Sequence, residues 1–145
     1  MSADGKKYVL CSTVYVNHER KFLLIHHNKL KKWVPPGGKI ESGELPDHAA
    51  IRECLEETDL EVELVGAGTE YQLGLVQPQG IEFNHLENHS SHLDFIYFAV
   101  PKSFKLSLNH LECSNARWFE LEEISKLNTF PSIHHWCQKF SEIDK

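Results

Sequence analysis

Short apolar runs separated by polar breaks fill the first part of the chain and predict β-strands. Residues 8–16 (YVLCSTVYV) and 21–27 (KFLLIHH) are rich in β-branched and aromatic side chains, and they flank the polar tetrapeptide NHER. That arrangement predicts a β-hairpin. In the following segment, NKLKKWVPPGG, Pro35 and Pro36 exclude a helix, because proline lacks an amide donor and forces its predecessor into extended geometry. We expect a short strand there that ends at a glycine-rich loop.

The spacing of apolar residues becomes helical over residues 45–58. Ile51, Cys54 and Leu55 fall on one face of such a helix. Pro46 suits the first turn, where its missing amide would have no intrahelical partner. The segment therefore predicts an amphipathic helix with its apolar face on a core.

The rest of the chain predicts further strands and two more helices. EVELVGAG is expected to contain a strand, and residues 72–92 (QLGLVQPQGIEFNHLENHSSH) are expected to form a long loop with strand fragments at its start. Residues 93–100 (LDFIYFAV) give the strongest strand prediction, and ARWFEL predicts a strand or turn. LEEIS and PSIHHWCQKFSEI predict helices, the second beginning at Pro131.

Length and composition indicate one ordinary globular domain over residues 1–145. The chain is 41% hydrophobic and 25% charged, values typical of globular proteins. Its formal net charge of -6 argues against binding along a nucleic-acid backbone, which usually requires a basic face. A small phosphate ligand is compatible with that charge, because a bound divalent cation can supply positive charge.

The cysteines and the amino terminus bear on the cellular compartment. The four cysteines form no C-x-x-C pair, so buried free thiols are expected rather than a disulfide framework: Cys11, Cys54, Cys113 and Cys137. The sequence MSADGKKYVL lacks the apolar core of a signal peptide, and no apolar run approaches the ~20 residues of a membrane span. We expect a cytoplasmic protein with neither a nucleic-acid nor a membrane partner.

Three glutamates of the predicted helix share the side away from its apolar face: Glu53, Glu56 and Glu57. Carboxylates this close repel one another unless a cation lies among them, and their oxygens are the ligands that Mg²⁺ and Mn²⁺ prefer. The small side chains of Ala49 and Ala50 would let a phosphate chain approach. The alternative is a solvated helix on which Arg52 reaches Glu56 and neutralises part of the charge.

The segment that contains this helix resembles the Nudix box of the Nudix (MutT-like) hydrolases. That signature is a glycine, any five residues, a glutamate, any seven residues, and then R-E-U-x-E-E-x-G-U, where U is bulky and aliphatic. Gly38 and Glu44 occupy the first two fixed positions, and residues 52–60 (RECLEETDL) complete the match. The two departures are Cys54, where an aliphatic residue is usual, and Asp59, where the family has glycine. Asp tolerates the left-handed conformation of a helix end better than most residues.

The resemblance implies a fold, an activity and a metal site. The fold is α/β, an α/β/α sandwich with a mixed β-sheet. The activity is Mg²⁺- or Mn²⁺-dependent hydrolysis of a nucleoside diphosphate linked to another moiety, with a nucleoside triphosphate slightly ahead of a nucleotide sugar. The implied metal ligands are three glutamates and a backbone carbonyl of one of two glycines: Glu53, Glu56, Glu57, Gly37 and Gly38.

The catalytic residues implied by the resemblance are Glu53, Arg52 and Glu44. Arg52 would orient the glutamates together with Glu44, and Glu53 is the first candidate for the general base. An acid from later in the chain is an alternative base, with three candidates: Glu82, Glu87 and Asp94.

Histidine and aromatic residues outside the box are candidates for binding substrate. Histidines at short spacings can share zinc, which gives one interpretation of His85, His89 and His92. A contact between His92 and the substrate phosphates is the favoured one. Three aromatic residues could each stack on a base or pack in the core: Trp33, Tyr71 and Phe83.

Two other functions stay open at this point. One is a nucleotide-binding sensor on the same fold that hydrolyses nothing, although the intact charged positions of the box argue against it. The other is an isomerase of prenyl diphosphates, which shares the fold and is disfavoured by the short chain. The sequence does not indicate an oligomeric state.

Overall fold

The computed structural model describes residues 8–68, 74–85, 91–102 and 113–143, without the side chains of Cys113 and Ser114. The strands are β1 (Tyr8–His18), β2 (Lys21–His27), β3 (Lys32–Val34), β4 (Gly37–Lys39), β5 (Val62–Val65), β6 (Gly80–Asn84), β7 (Ser91–Pro101) and β8 (Cys113–Glu120). The helices are α1 (Pro46–Thr58), α2 (Leu121–Ile124) and α3 (Pro131–Ile143). All the strands of the described residues join one sheet.

The sheet is built around β1 and β7, which run parallel from the pair Tyr8–Ser91 to the pair Val16–Ala99. Their β-branched and aromatic runs suit central strands that are covered on both faces. The other pairs are antiparallel: β2 and β4 with β1, β5 and β6 with β7, and β3 and β8 with β2. The sheet is therefore mixed.

The β1–β2 hairpin confirms the first strand prediction. His18 pairs with Lys21, so two residues make the turn. These residues, Glu19 and Arg20, have φ of 51° and 68° although neither is glycine. A turn with positive φ at both central positions matches the right-handed twist of hairpin strands.

Each face of the sheet is covered by a helix and has its own apolar core. On the α1 face the buried cluster is Val14, Val16, Leu23, Ala50, Cys54, Leu60, Val62, Tyr97 and Ala99. On the α3 face it is Tyr15, Phe22, Leu24, Ile96, Phe98, Phe119, Ile124, Ile133, Cys137 and Phe140. Successive residues of β1 and β7 point to opposite faces, so each central strand supplies both cores. The arrangement is an α/β/α sandwich.

Helix α1 begins and ends as the sequence predicts. Pro46 occupies the first turn, and Asp59 takes the left-handed conformation at the carboxyl end, with φ of 59°. The Asp59 N–H donates to the Leu55 carbonyl over 2.8 Å and closes the helix. Leu55 was expected on the apolar face and is 40% exposed instead. The packed stripe runs through Ala50 and Cys54, which turns Leu55 toward solvent.

Two strands differ from the expected loops. Gly37–Lys39, expected as a glycine-rich loop, is β4 and pairs with residues 11–13 of β1. Gly80–Asn84, inside the expected long loop, is β6 and pairs with β7. Both strands are short and contain glycine, so their own sequence is a weak signal, and the long neighbouring strands supply the pairing that forms them.

Three of the four cysteines have the predicted state. Cys11, Cys54 and Cys137 are buried free thiols, and burial raises the pKa of Cys11 and of Cys54 to about 12. Within the described ranges, no helix is both long and apolar enough to cross a membrane.

Candidate active site

Helix α1 brings two glutamates against strand β4. Glu57 is only 2% exposed, and its Oε1 accepts a hydrogen bond from the Gly37 N–H at 2.8 Å. Glu53 lies one turn earlier on the same side of the helix, and its carboxylate lies against Gly38. Helix and sheet therefore meet here through two carboxylates, each facing a glycine.

Both glycines have close neighbours, backbone at Gly37 and the Glu53 side chain at Gly38. A Cβ on Gly37 would lie 2.5 Å from the Ser12 carbonyl oxygen, and a Cβ on Gly38 would lie 2.6 Å from the Glu53 carboxylate. Real Cβ atoms do not come so close to other atoms. The sequence Gly-Gly thus lets one short strand approach both β1 and the carboxylates of α1.

Arg52 connects the acidic side of α1 to the segment before it. Its Nε and Nη2 donate to the two oxygens of Glu44 at 2.6 and 2.9 Å. Its Nη1 donates to Glu53 at 2.9 Å and to Glu56 at 3.1 Å, and Nη2 also donates to the Lys39 carbonyl at 3.0 Å. The hydrogen bonds with Glu44 raise the pKa of Arg52 and lower that of Glu44. The geometry is the bidentate fork that fixes a guanidinium in one plane.

All three predicted metal ligands accept hydrogen bonds from the protein. Arg52 donates a hydrogen bond to one oxygen of Glu53 and to one oxygen of Glu56, and the Gly37 N–H donates to one oxygen of Glu57. In the described parts of the chain, no three His, Cys, Asp or Glu side chains are grouped so as to hold a metal ion. The donor set nevertheless fits a hard divalent cation, because three carboxylates lie within about one helical turn at a close backbone approach. A carboxylate that accepts one hydrogen bond can still coordinate an ion, so shared ligation is compatible with the contacts to Arg52.

A cavity of about 520 Å³ lies on the α3 face of the sheet. One end is lined by β4, at Gly37, Gly38 and Lys39. The walls between the ends include apolar side chains, among them Val9 and Ile96. This volume is within the range of small-molecule sites, and the β4 end is the place where α1 contributes its carboxylates.

Strand pairing places four residues that line the cavity in a row across the sheet. The row is Lys39 on β4, Cys11 on β1, Asp94 on β7 and Glu82 on β6. Directly paired residues project to the same face. At about 4.8 Å between strands, the backbones of Lys39 and Glu82 are roughly 14 Å apart. The cavity therefore has a glycine end and an acidic end.

Asp94 is the central group of the acidic end. Its Oδ1 accepts a hydrogen bond from Thr13 Oγ1 at 2.9 Å, and its Oδ2 accepts one from Asn84 Nδ2 at 3.0 Å. Burial raises the pKa of the Asp94 carboxyl, and these two hydrogen bonds oppose that rise. Neutral donors from β1 and β6 thus hold a partly buried carboxyl on β7.

Glu82 is held by helix α3. The Trp136 indole N–H donates to Glu82 Oε1. Gly80, two residues earlier on the same face of β6, leaves the space for that indole, because a Cβ there would overlap the Trp136 ring. The aromatic ring and the glycine together fix the position of Glu82 at the cavity.

Of the two predicted substrate-binding residues, the structure places one at the cavity. His92 lines it and pairs with Asn84 across β6 and β7. Trp33 packs on the α3-face core, with its ring 4.9 Å from that of Phe119 and 5.2 Å from that of His26. Trp33 is not among the residues that line the cavity, so its position favours packing over stacking on a ligand.

The remaining candidates are scattered. Phe83 is 61% exposed on the α1 face, its ring 6.3 Å from that of Tyr8, and therefore points away from the cavity. His85 Nδ1 is hydrogen-bonded to Ser91 Oγ at 2.8 Å. Three candidates lie outside the described residues: Tyr71, Glu87 and His89. The zinc interpretation of the histidines stays untested.

The expected phosphate path beside the two alanines is wrong. Ala49 and Ala50 are 0% exposed, and Ala50 packs in the α1-face core. Their small side chains let the helix lie close to the sheet instead. The cavity reaches β4 at Gly37 and Gly38, the two residues that face the glutamates.

Sequence reasoning missed the residues that hold the two cavity acids. Thr13, Asn84 and Trp136 come from β1, β6 and α3, and each contacts an acid far from it in the chain or in another element. One signal was present: Thr13 and Asp94 are polar positions inside otherwise apolar strands. A polar group in a strand that is covered on both faces needs a partner or a ligand.

Comparison with known proteins gives the family. The NUDIX domain model matches residues 7–140. Nudix hydrolase 10 from Arabidopsis thaliana is 29% identical over 130 residues, 79% of this chain and 43% of that protein, so the chain spans less than half of that relative. The mouse bis(5'-nucleosyl)-tetraphosphatase [asymmetrical] is 28% identical over 116 residues, 79% of this chain and 70% of that protein.

A solved structure agrees. The crystal structure of a NUDIX-family hydrolase from Clostridium perfringens has a TM-score of 0.85 and 27% identity, and the superposition covers 96% of this chain and 99% of that one. The chain belongs to the Nudix family. The resemblance of the glutamate-rich segment and the predicted sandwich fold are both confirmed.

Proposed function

We propose that this chain is a metal-dependent pyrophosphohydrolase that cleaves a phosphoanhydride bond of a nucleotide, with a nucleoside triphosphate as the first candidate substrate. The observation that carries the proposal is the meeting of Glu53 and Glu57 with Gly38 and Gly37 at one end of the cavity. The carboxylates that would serve a pyrophosphate lie at the edge of the space that would hold the nucleotide.

Three glutamates and a backbone carbonyl of Gly37 or Gly38 would hold Mg²⁺ or Mn²⁺: Glu53, Glu56 and Glu57. When bound, the ion supplies Lewis acidity and positive charge for the pyrophosphate oxygens. The two glycines allow the closest approach of the sheet to these carboxylates. A Cβ at position 37 would collide with the backbone of β1, and a Cβ at position 38 would displace the Glu53 carboxylate.

Arg52 positions the acids rather than taking part in bond breaking. Its two-point grip on Glu44 fixes the guanidinium, which in turn fixes the Glu53 and Glu56 oxygens. Glu53 remains our candidate for the general base that removes a proton from water, because it lies at the β4 end. Glu82 is three strands away from β4, which suits it less for that step, and both oxygens of Asp94 already accept hydrogen bonds from Thr13 and Asn84.

The group attached to the nucleoside diphosphate is to be identified by a substrate screen. A nucleoside triphosphate ranks ahead of a nucleotide sugar, and the name of the mouse relative adds a dinucleoside tetraphosphate to the panel. A nucleotide-binding sensor without hydrolysis is the alternative from another class. A cytoplasmic location stays a prediction.

The test is a substrate screen with purified protein. Nucleoside triphosphates, nucleotide sugars and dinucleoside tetraphosphates are incubated with Mg²⁺ or Mn²⁺, and products are resolved by chromatography. We expect turnover of one class that stops when a chelator is added. Turnover that is unchanged by the chelator would contradict the metal site.

A matched pair of variants separates the enzyme from the sensor. Glu53→Gln removes a charge at the proposed site, and Glu63→Gln removes one on the exposed side of β5. The proposal predicts loss of turnover in the first variant and normal turnover in the second. Absence of turnover for the whole panel, with a nucleotide that still raises the melting temperature, would replace the enzyme with the sensor.

A further inference from the structure

The acidic end of the cavity has no part in the proposed hydrolysis, and its chemistry restricts the ligand. Asp94, Glu82 and Asn84 line the cavity together, on β7 and β6. Thr13, Asn84 and Trp136 fix the two acids in place from three different elements. Side chains held in this way present a pre-formed set of polar atoms to whatever occupies the cavity.

The polar atoms at this end are mainly hydrogen-bond acceptors. An ionised carboxylate accepts only, and each of its oxygens has two lone-pair sites. The Asp94 oxygens each accept one bond from the protein, and Glu82 Oε1 accepts one from Trp136. Each of these oxygens retains capacity for a second donor. A ligand group that fits here must bring N–H or O–H donors.

The same end repels phosphates. Of the described residues that line the cavity, Lys39 is the only lysine or arginine, and it lies at the glycine end. Asp94 and Glu82 are two and three strands farther across the sheet. Like charges in a low-dielectric cavity repel strongly, so a nucleotide would place its phosphates at β4 and its base at the acidic end. In this pose His92, which pairs with Asn84, lies near the base instead of contacting the phosphates as expected from the sequence.

We propose that Asp94, with Glu82, selects nucleotides whose base carries an exocyclic amino group, which are those of guanine, adenine and cytosine, over those of uracil and thymine. The inference rests on the proposed function, because it names the substrate class of the same site. Guanine, adenine and cytosine each carry an exocyclic amino group with two N–H donors, which can serve two carboxylates at once. Uracil and thymine carry no amino group, and their one base donor, the ring N3–H, lies between two carbonyl oxygens. That N3–H can serve one carboxylate, and a carbonyl oxygen beside it would face the other acid with no proton between them.

Burial of the Asp94 carboxyl is a secondary argument for this assignment. The raised pKa means that desolvation is only partly offset by Thr13 and Asn84. A further N–H donor from a ligand would offset more of it. A site built to hydrogen-bond one group discriminates well against an analogue that lacks it.

The experiment measures discrimination rather than overall rate. kcat/KM is determined for GTP, ATP, CTP, UTP and TTP with the wild-type protein and with Asp94→Asn. The wild type should prefer the best amino-bearing base to UTP and TTP by about tenfold or more. The introduced asparagine would offer an amide N–H where the carboxylate only accepts, so Asp94→Asn should reduce that ratio about tenfold by favouring UTP and TTP.

Two other variants protect the test against misfolding and general effects. Glu82→Gln keeps an oxygen for the Trp136 N–H and should shift the same ratio in the same direction by a smaller factor. Glu63→Gln, on the exposed side of β5, should leave the ratio unchanged. An equal loss of activity toward all bases in Asp94→Asn and Glu82→Gln would overturn the inference.

A binding measurement separates this inference from the proposed function. Melting temperature is followed with GMP or UMP in the presence of a chelator, where no hydrolysis occurs. GMP should stabilise the wild type more than UMP does, and Asp94→Asn should remove the difference. Equal shifts, or no shift with either, would overturn base selection and leave metal-dependent turnover standing. Selective binding in a protein that hydrolyses none of the panel would overturn the proposed hydrolase instead.

Discussion

The carboxylates around helix α1 and those of the cavity are held in opposite ways. On the acidic side of α1, Glu44, Glu53 and Glu56 all contact the same cation, Arg52, near the surface. In the cavity, Asp94 and Glu82 contact neutral donors. Contact with a cation lowers the pKa of Glu44, whereas burial raises that of Asp94.

These two environments suit the two roles proposed for the carboxylates, which are metal binding and recognition of N–H donors. Carboxylates paired with an arginine stay ionised, which suits groups proposed to bind a metal. Carboxylates held by neutral donors in an apolar cavity keep acceptor capacity, which suits groups proposed to recognise N–H donors. Changes at the helix should therefore affect turnover, and changes at the cavity should affect substrate binding.

The largest effect is expected for Glu57→Gln. The amide oxygen of the introduced glutamine can still accept the Gly37 N–H bond, so the β4 contact is retained while the charge is lost. We expect kcat to fall by about a hundredfold or more, with little change in melting temperature. The control is Glu61→Gln, an exposed position just beyond the helix. Normal kcat in the Glu57→Gln variant would rule out the assignment of the helix to catalysis.

A smaller loss is expected for Arg52→Lys. Lysine keeps the charge but lacks the planar fork that binds both oxygens of Glu44 and reaches Glu53. We expect kcat to fall about tenfold and the free energy of unfolding to fall by about 1–3 kcal/mol, measured by turnover and urea denaturation. Arg117→Lys, at an exposed position of β8, serves as the control. Unchanged kcat would show that the network does not position the acids.

A cavity change should affect KM instead. Trp136→Phe removes the N–H that holds Glu82 and keeps an aromatic ring over Gly80. We expect KM to rise about threefold to tenfold, the effect of one lost hydrogen bond, with kcat nearly constant. Trp118→Phe, on the α1 face, should alter neither constant. A fall in kcat with constant KM would place Glu82 in catalysis and end the division between the two groups.

The smallest effect is the pH dependence contributed by Glu44. Its pKa in the folded protein is lowered, first by its hydrogen bonds to Arg52, so its stabilisation is present above the ordinary glutamate pKa and is lost as pH falls through the lowered value. The difference in unfolding free energy between wild type and Glu44→Gln should thus be constant near neutral pH and shrink in acid. Urea denaturation at several pH values measures it. A difference that grows in acid would contradict the pairing.

The helix side of the site was predictable because its information is local. The glutamates, Arg52 and Glu44 lie within 14 residues, and helical geometry alone places Glu53 and Glu57 on one side. The same holds for the hairpin turn, Pro46 and the helix end at Asp59. These features depend on conformations that a few adjacent residues determine.

The cavity side was not predictable, because strand register determines it. Thr13 and Asp94 are 81 residues apart, and only the parallel pairing of β1 with β7 brings them together. Strand β6 was missed for the same reason, since its short glycine-containing sequence forms a strand only against β7. The predictions for Ala50 and Leu55 were wrong because the period of a helical pattern does not specify which residues contact the sheet. Ala50 is in the core, and Leu55 is exposed.

Metal binding by the helix glutamates can be tested without any substrate, by Mn²⁺ titration followed by electron paramagnetic resonance. The wild type and the matched variants Glu53→Gln, Glu57→Gln and Asp94→Asn are titrated under the same conditions. We predict that the two helix variants weaken Mn²⁺ binding about tenfold or more, while Asp94→Asn binds as the wild type does. Normal binding in both helix variants, or a loss confined to Asp94→Asn, would contradict the proposed metal site.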